Sequence, residues 1–167
     1  MMGKILVPLD GSDLAEAALE TALDILNERP ATTLVLLRAA ESSESPGPDR
    51  MTEKARAVRE AESYLNGVAA GLRECGITQV KTAVWFGPAA PTIVEVAAVE
   101  NVDLIIMTSH GRGGIGRLIF GSVADSVLHG TRTPILLVRD VTSPLLPLRG
   151  APQAASTPDV DAPVSPS

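Results

Sequence analysis

Five short apolar runs, separated by four segments with helical spacing, constrain this chain more than any other feature. The runs are Lys4-Ile5-Leu6-Val7-Pro8-Leu9, Thr33-Leu34-Val35-Leu36-Leu37, Val80 to Phe86, Asp103 to Thr108 and Pro134-Ile135-Leu136-Leu137-Val138. Each has the length and aliphatic content of a strand in a buried parallel sheet. Lys81 and Thr82 give the third run an exposed side, whereas Leu104-Ile105-Ile106-Met107 should be buried on both faces. Between the first two runs, Ser12 offers an N-cap. Ala15, Ala18, Leu19, Ala22, Leu23 and Leu26 then fall on one helical face until Pro30 ends it. Loop chemistry over 41–50 precedes a mixed-charge helix at roughly 51–75, with Gly76 as its stop. Pro91 suits the first turn of a helix reaching about Asn101, and a short helix is expected from Ser122 to Gly130.

Alternation of strands and helices at this spacing means βαβ units. The right-handed crossover rule then limits the α/β topology to a doubly wound, Rossmann-like sheet of five parallel strands with helices on both faces, for which the expected strand order is 3-2-1-4-5. This domain is expected to occupy 1–140. Residues 141–167 carry six prolines among small polar residues and no apolar periodicity, a composition that predicts a disordered tail.

Composition excludes several functions. The net charge of −6 argues against nucleic acid or anionic lipid as a partner. Only Tyr64, Trp85, Phe86 and Phe120 are aromatic, too few for a single-strand stacking platform. Cys75 is the sole cysteine, so no intrachain disulfide or cysteine-based zinc site forms; it reads as a small packed residue. His110 and His129 are too far apart for metal-ligand spacing, and neither has a nucleophile partner. His110 is read as a structural loop residue and His129 as a favourable charge in the last turn of its helix. No early segment reads as a leader or a membrane span, so the expected compartment is the cytosol.

In an open parallel sheet, ligands bind beyond the carboxyl ends of the strands, where strand order reverses. Two loops meet that description: Pro8-Leu9-Asp10-Gly11-Ser12, and the glycine-rich stretch from Thr108 to Ser122. The helix after the first opens with Asp13 and Glu16, which repel phosphate. From 108 to 139 the chain has four arginines (112, 117, 132 and 139) against Asp125, a local +3 that favours polyphosphate. Glycines there let backbone N–H groups approach phosphate oxygens, and Gly121-Ser122 opens a helix whose first N–H groups lack partners. Asp10 has two readings of equal weight. It is an acceptor for an adenine amino group or ribose hydroxyl, or it simply starts an Asp-Gly turn.

Gly111-Arg112-Gly113-Gly114-Ile115-Gly116 formally matches the dinucleotide fingerprint, so a small NAD-binding oxidoreductase is an alternative. The fingerprint belongs on a first βα turn, however, and here a single strand follows it. No P-loop pattern occurs.

Thr108-Ser109-His110-Gly111, nine residues, then Gly121-Ser122 resembles the G-x-x-G-x9-G-[ST] signature of universal stress proteins. With Pro8-x-Asp10-x-Ser12 and the closing Pro134 to Val138, the resemblance covers residues 4–139. It implies that Asp10 and the backbone near Pro8 and Ala39 border adenine and ribose, while Gly111, Gly121 and Ser122 hold phosphates. The full expected contact set is Pro8, Leu9, Asp10, Ser12, Ala39, Met107, Ser109, His110, Gly111, Arg112, Gly121, Ser122 and Val123. The ligand it implies is ATP, accompanied by Mg²⁺, or else AMP or cyclic AMP. It also implies a homodimer joined through Ile135, Leu136, Leu137 and Val138, acting as a nucleotide-responsive switch or stress-tolerance factor. Hydrolysis is expected to be slow at most, because no general base or paired carboxylates for two metals are recognisable. Two departures stand out. Thr108 replaces the first motif glycine and narrows the approach to ribose and phosphates, while Ala39 replaces a larger valine. The rival that Thr108 favours is a dimeric protein-interaction module of the same fold, without a nucleotide.

Overall fold

The computed structural model describes residues 3–41, 50–109 and 121–139. Nine elements alternate through them: β1 (Lys4–Pro8), α1 (Asp13–Glu28), β2 (Thr33–Ala40), α2 (Arg50–Glu74), β3 (Val80–Phe86), α3 (Ala89–Val99), β4 (Leu104–Ser109), α4 (Ser122–Gly130) and β5 (Ile135–Arg139). The strands form one parallel sheet in the order β3-β2-β1-β4-β5, as expected. The tail, 141–167, lies outside the described residues.

Handedness dictates where the helices go. The chain steps in one direction from β1 to β2 to β3, then in the other from β4 to β5, so right-handed crossovers send α1 and α2 to one face and α3 and α4 to the other. The core divides accordingly. Ile5, Val7, Leu34, Leu36 and Ile106 pack with Ala18 and Ala22 of α1 and Leu65 and Ala69 of α2. On the opposite face Leu6, Val35, Leu37, Ile105 and Met107 pack with Ile93 and Val96 of α3 and Ala124 and Val127 of α4. Both sets alternate along the strands, so β1 and β4 are apolar on each side, as the uninterrupted runs require. The small residues of α1, Ala15, Ala18 and Ala22, let that helix sit close to the sheet.

Helix ends follow the local chemistry. Ser12 caps α1, its hydroxyl accepting from Ala15 N–H at 3.1 Å. Gly76 ends α2 with φ of 92°, its N–H reaching Arg73 O at 3.0 Å while Ile77 N–H reaches Leu72 O at 3.0 Å. Beyond the expected Leu37, β2 continues through Ala40, because β3 pairs with it as far as Ala40–Phe86. Cys75 is exposed rather than packed, since α2 has already ended and its side chain has nothing to lie against.

At the amino edge of the sheet, one carboxylate and one ion pair hold β1. Asp103 Oδ2 accepts from Gly3 N–H at 2.7 Å and Lys4 N–H at 2.9 Å. Lys4 Nζ donates to Glu100 Oε2 at 2.8 Å and to Glu100 O at 2.7 Å. The Lys4 hydrogen bond and charge hold the Glu100 carboxyl below its usual value. The two backbone N–H groups, that of Lys4 first, do the same for Asp103. A carboxyl whose pKa is depressed by folding stabilises the protein above its unfolded value and loses that contribution as pH falls through the folded one. Thermal midpoints should therefore fall below about pH 4, the ordinary carboxylate range. Combining Asp103→Asn with Glu100→Gln should flatten that slope in melts from about pH 7 to 3.

Candidate functional site

The carboxyl end of β1 is where strand order reverses, with β2 on one side and β4 on the other. Leu9 remains tied to β2, donating to Leu37 O at 2.8 Å. Asp10, Gly11 and Ser12 then turn the chain into α1. Asp10 Oδ1 accepts from Ser12 N–H at 2.9 Å and from Ser12 Oγ–H at 2.6 Å, and the same hydroxyl accepts from Ala15. This is an Asx-type turn feeding an N-cap, and Gly11 supplies the φ of 88° that it needs. The turn reading of Asp10 is therefore correct as far as it goes, and the Ser12 hydroxyl caps the acidic first turn of α1 through the Ala15 N–H.

A cavity of about 400 Å³ opens beside this turn, within the range of small-molecule pockets. Pro8, Leu9 and Asp10 form one rim, and Ala15 of α1 lies behind them. Leu37 and Ala39 of β2 and Met107 and Thr108 of β4 line it from the sheet. Ala89 and Ile93 of α3 close one wall, and Gly121, Ser122, Val123 and Ala124 of α4 close the other. The lining is mainly apolar, with Asp10, Thr108 and Ser122 as its polar side chains. The α3 wall is anchored from the residue that follows β2: Ala89 N–H donates to Glu41 Oε1 at 2.7 Å, a bond that the α3 N-cap, Pro88, has no side-chain group to replace.

The two helix starts at the cavity differ electrically. The α1 start has its hydroxyl cap and carries Asp13 and Glu16 in its first turn. The α4 start has Gly121 as N-cap, carries a single acid, Asp125, in its first turn, and among the described residues has no side-chain cap. Its backbone N–H groups and positive dipole end face the cavity rim, a disposition suited to an anion.

Of the expected contact residues, the fold brings Pro8, Leu9, Asp10, Ala39, Met107, Gly121, Ser122 and Val123 to one cavity. Ser12 is adjacent but committed to capping, and Ser109 is buried outside the lining. His110, Gly111 and Arg112 lie outside the described residues. Leu37, Ala89, Ile93 and Ala124 were not singled out, because an apolar wall residue looks like any other core residue in sequence. Leu37 was accessible through strand alternation with Ala39, and Ile93 through its i+4 spacing from Ala89. Among the described residues no three His, Cys, Asp or Glu side chains converge as a metal site. Nor is any helix there long and apolar enough to cross a membrane.

Fold and cavity together define a doubly wound, Rossmann-like α/β protein with a ligand-sized pocket at its topological switch point. The chain belongs to the Universal stress protein family, whose sequence model matches residues 1–139. It is 29% identical over 156 residues to universal stress protein MJ0577 of Methanocaldococcus jannaschii, covering 83% of this chain and 96% of that one. It is 31% identical over 157 residues to a putative universal stress protein of Staphylococcus aureus, covering 92% of each. The solved structure of MJ0577 superposes with a TM-score of 0.68 at 29% identity, over 86% of this chain and 99% of that one. UspA of Lactobacillus plantarum also superposes at 0.68, with 22% identity, over 82% of this chain and 97% of that one.

Gly11 is the residue in the first loop least open to substitution. Gly11→Ala should cost about 1–2 kcal/mol from the positive φ alone. Chemical denaturation should show this as a lower midpoint at unchanged slope.

Proposed function

We propose that this chain binds an adenine nucleotide at the carboxyl ends of β1 and β4, and acts in the cytosol as a dimeric, nucleotide-responsive switch or stress-tolerance factor. The observation that carries the reading is the pairing of an apolar cavity of about 400 Å³ with the uncapped α4 start. A purine is flat and largely apolar and needs such walls, whereas its phosphates need unpartnered N–H groups at one end. Ala39, Leu37, Met107 and Ile93 would flank the base. Asp10 would accept from the adenine amino group or the ribose. Holding its turn and meeting a ligand are compatible for a carboxylate, which offers about four acceptor positions. Gly121, Ser122 and Val123 would receive the phosphates, with Gly111 and Arg112 of the glycine-rich loop completing that end.

Two proteins of this fold, at 22% and 17% identity, were solved in complex with cyclic AMP and with dAMP, with TM-scores of 0.56 and 0.55. Those complexes supply the ligand class, and ATP extends it towards the glycine-rich loop. Mg²⁺ would travel with the ATP phosphates, in keeping with an acidic chain. Binding rather than turnover is the activity proposed. The homodimer would form along β5, an edge strand whose Leu136 is 38% exposed. Thr108 on the cavity wall favours the second reading, a dimeric protein-interaction module whose pocket is too narrow for nucleotide. The glycine run behind the nicotinamide-enzyme alternative lies outside the described residues.

Calorimetric titration of nucleotide-stripped protein with Mg-ATP, AMP, cyclic AMP and NADH tests the proposal. Micromolar affinity for an adenine nucleotide, roughly 8 kcal/mol, is expected, and NADH should not compete. Gly121 has φ of −54° and ψ of 152°, which any residue can adopt, so Gly121→Asp adds a carboxylate without backbone strain. It should lower affinity by roughly 100-fold or more while leaving the melting curve close to wild type. Unchanged affinity would remove the phosphates from the α4 start.

A further inference from the structure

Strand alternation puts Arg38 on the side of the sheet away from the cavity. Its neighbours Leu37 and Ala39 line the pocket, while Arg38 points towards α1 and α2, the face shared by Leu34 and Leu36. There its guanidinium lies over the Tyr64 ring of α2, with Cζ 4.7 Å from the ring centroid. The Tyr64 hydroxyl donates to Glu16 Oε1 of α1 at 2.6 Å. The other edge of the guanidinium meets the first loop. A Cβ placed on Gly11 would stand 3.3 Å from Nη1, 3.5 Å from Nη2 and 3.6 Å from Cζ of Arg38. The side chain is thus packed on loop backbone between Asp10 and Ser12. The Tyr64 phenol is pushed well above its ordinary value, first by burial and then by the Glu16 hydrogen bond and charge. Arg38 opposes that rise and Asp10 adds to it, so the Asp10 carboxylate belongs to the same electrostatic cluster.

We propose that Arg38 is a positioning residue: gripped by Tyr64 and Glu16 on the far face of the sheet, it clamps Gly11 and so holds Asp10 at the cavity rim. Three features of the residue suit the task. A planar guanidinium stacks on an aromatic ring and still presents a flat edge to a backbone, which a lysine ammonium does not. Tyr64 is fixed at its far end by Glu16, so the ring is a stationary platform. Gly11 adopts the φ of 88° that favours glycine, and any Cβ there would press on the Arg38 guanidinium. The clamp links α1, α2 and β2 to the loop, and its consequence for ligand recognition rests on the nucleotide reading above.

The test uses the full chain as wild type, Arg38→Met, Arg38→Lys and Tyr64→Phe, with two independent readouts. The first needs no ligand. Amide hydrogen exchange at Ser12, whose N–H is held by Asp10, should speed up roughly tenfold in Arg38→Met while core amides of β1 and β4 keep their protection. Arg38→Lys should recover only part of that protection.

The second readout is discrimination. The ratio of affinities for AMP over its 2′-deoxy and inosine counterparts should fall several-fold towards unity in Arg38→Met, because Asp10 no longer sits where it selects. A purely structural Arg38 would lower the melting temperature and leave both the Ser12 exchange and the ratio unchanged, which overturns the proposal. Faster Ser12 exchange in a protein whose wild type binds no nucleotide would uphold the clamp and remove the nucleotide reading. Unaltered Ser12 exchange removes the clamp, whatever the nucleotide titrations give.

Discussion

Parallel pairing of β1 on both of its edges is the constraint on which the rest of this molecule depends. β1 pairs with β2 from Lys4–Thr33 to Pro8–Leu37 and with β4 at Ile5–Leu104 and Leu6–Ile105. With Ile5, Leu6 and Val7 fully buried, neither face of the strand can meet water. Parallel neighbours demand crossovers, crossovers are right-handed, and the direction of travel reverses at β1. The helices that follow β1 and β4, α1 and α4, therefore lie on opposite faces of the sheet and leave a crevice at its carboxyl end. The cavity is thus a consequence of strand order before any residue in it is chosen.

What fills the crevice is a division of labour between two helix starts. At α1 the chain spends Asp10, Gly11 and Ser12 on satisfying itself: one carboxylate oxygen takes two donors, and one hydroxyl caps the first turn. At α4 it places a glycine, and among the described residues no side chain caps the first turn. The α1 start has a hydroxyl cap and two first-turn acids, Asp13 and Glu16, whereas the α4 start has a glycine cap and one, Asp125. Between them lie walls of alanine and branched aliphatics, with Ala39 and Ala89 leaving room that larger side chains would take. The far side of the sheet takes part as well, since Arg38, Tyr64 and Glu16 brace the closed end from behind.

Much of the fold was legible because each local signal agreed with the next. Ser12 as cap, Gly76 as stop and Ser122 to Gly130 as a short helix follow from side-chain and backbone chemistry within a few residues. The unbroken Leu104 to Met107 run was legible for a different reason: a strand apolar on both faces belongs inside a parallel sheet. The end of β2 was not. Arg38, Ala39 and Ala40 lack the aliphatic bulk of a buried strand, and they stay extended because β3 supplies hydrogen bonds as far as Phe86. Cys75 was misread for the complementary reason, since its type favours burial while its place beyond the last turn of α2 denies it.

By itself the sequence determined the elements and their order along the chain, because periodicity and caps act locally, and crossover handedness narrowed the sheet to a doubly wound one. It also singled out Asp10 on one side and Gly121 with Ser122 on the other, residues that line one cavity in the fold. Only the tertiary structure decided which ordinary apolar residues became walls. Leu37, Ala89 and Ile93 are indistinguishable in type from core residues and acquire a role solely from the crevice they face. The same holds for Arg38, which in sequence is one charge at the end of a strand. Its contact with Tyr64, 26 positions away, and with Gly11, 27 positions away, exists only once α2 is packed on the sheet. Local chemistry can be read along a chain, but a contact between distant side chains requires the packing that brings them together.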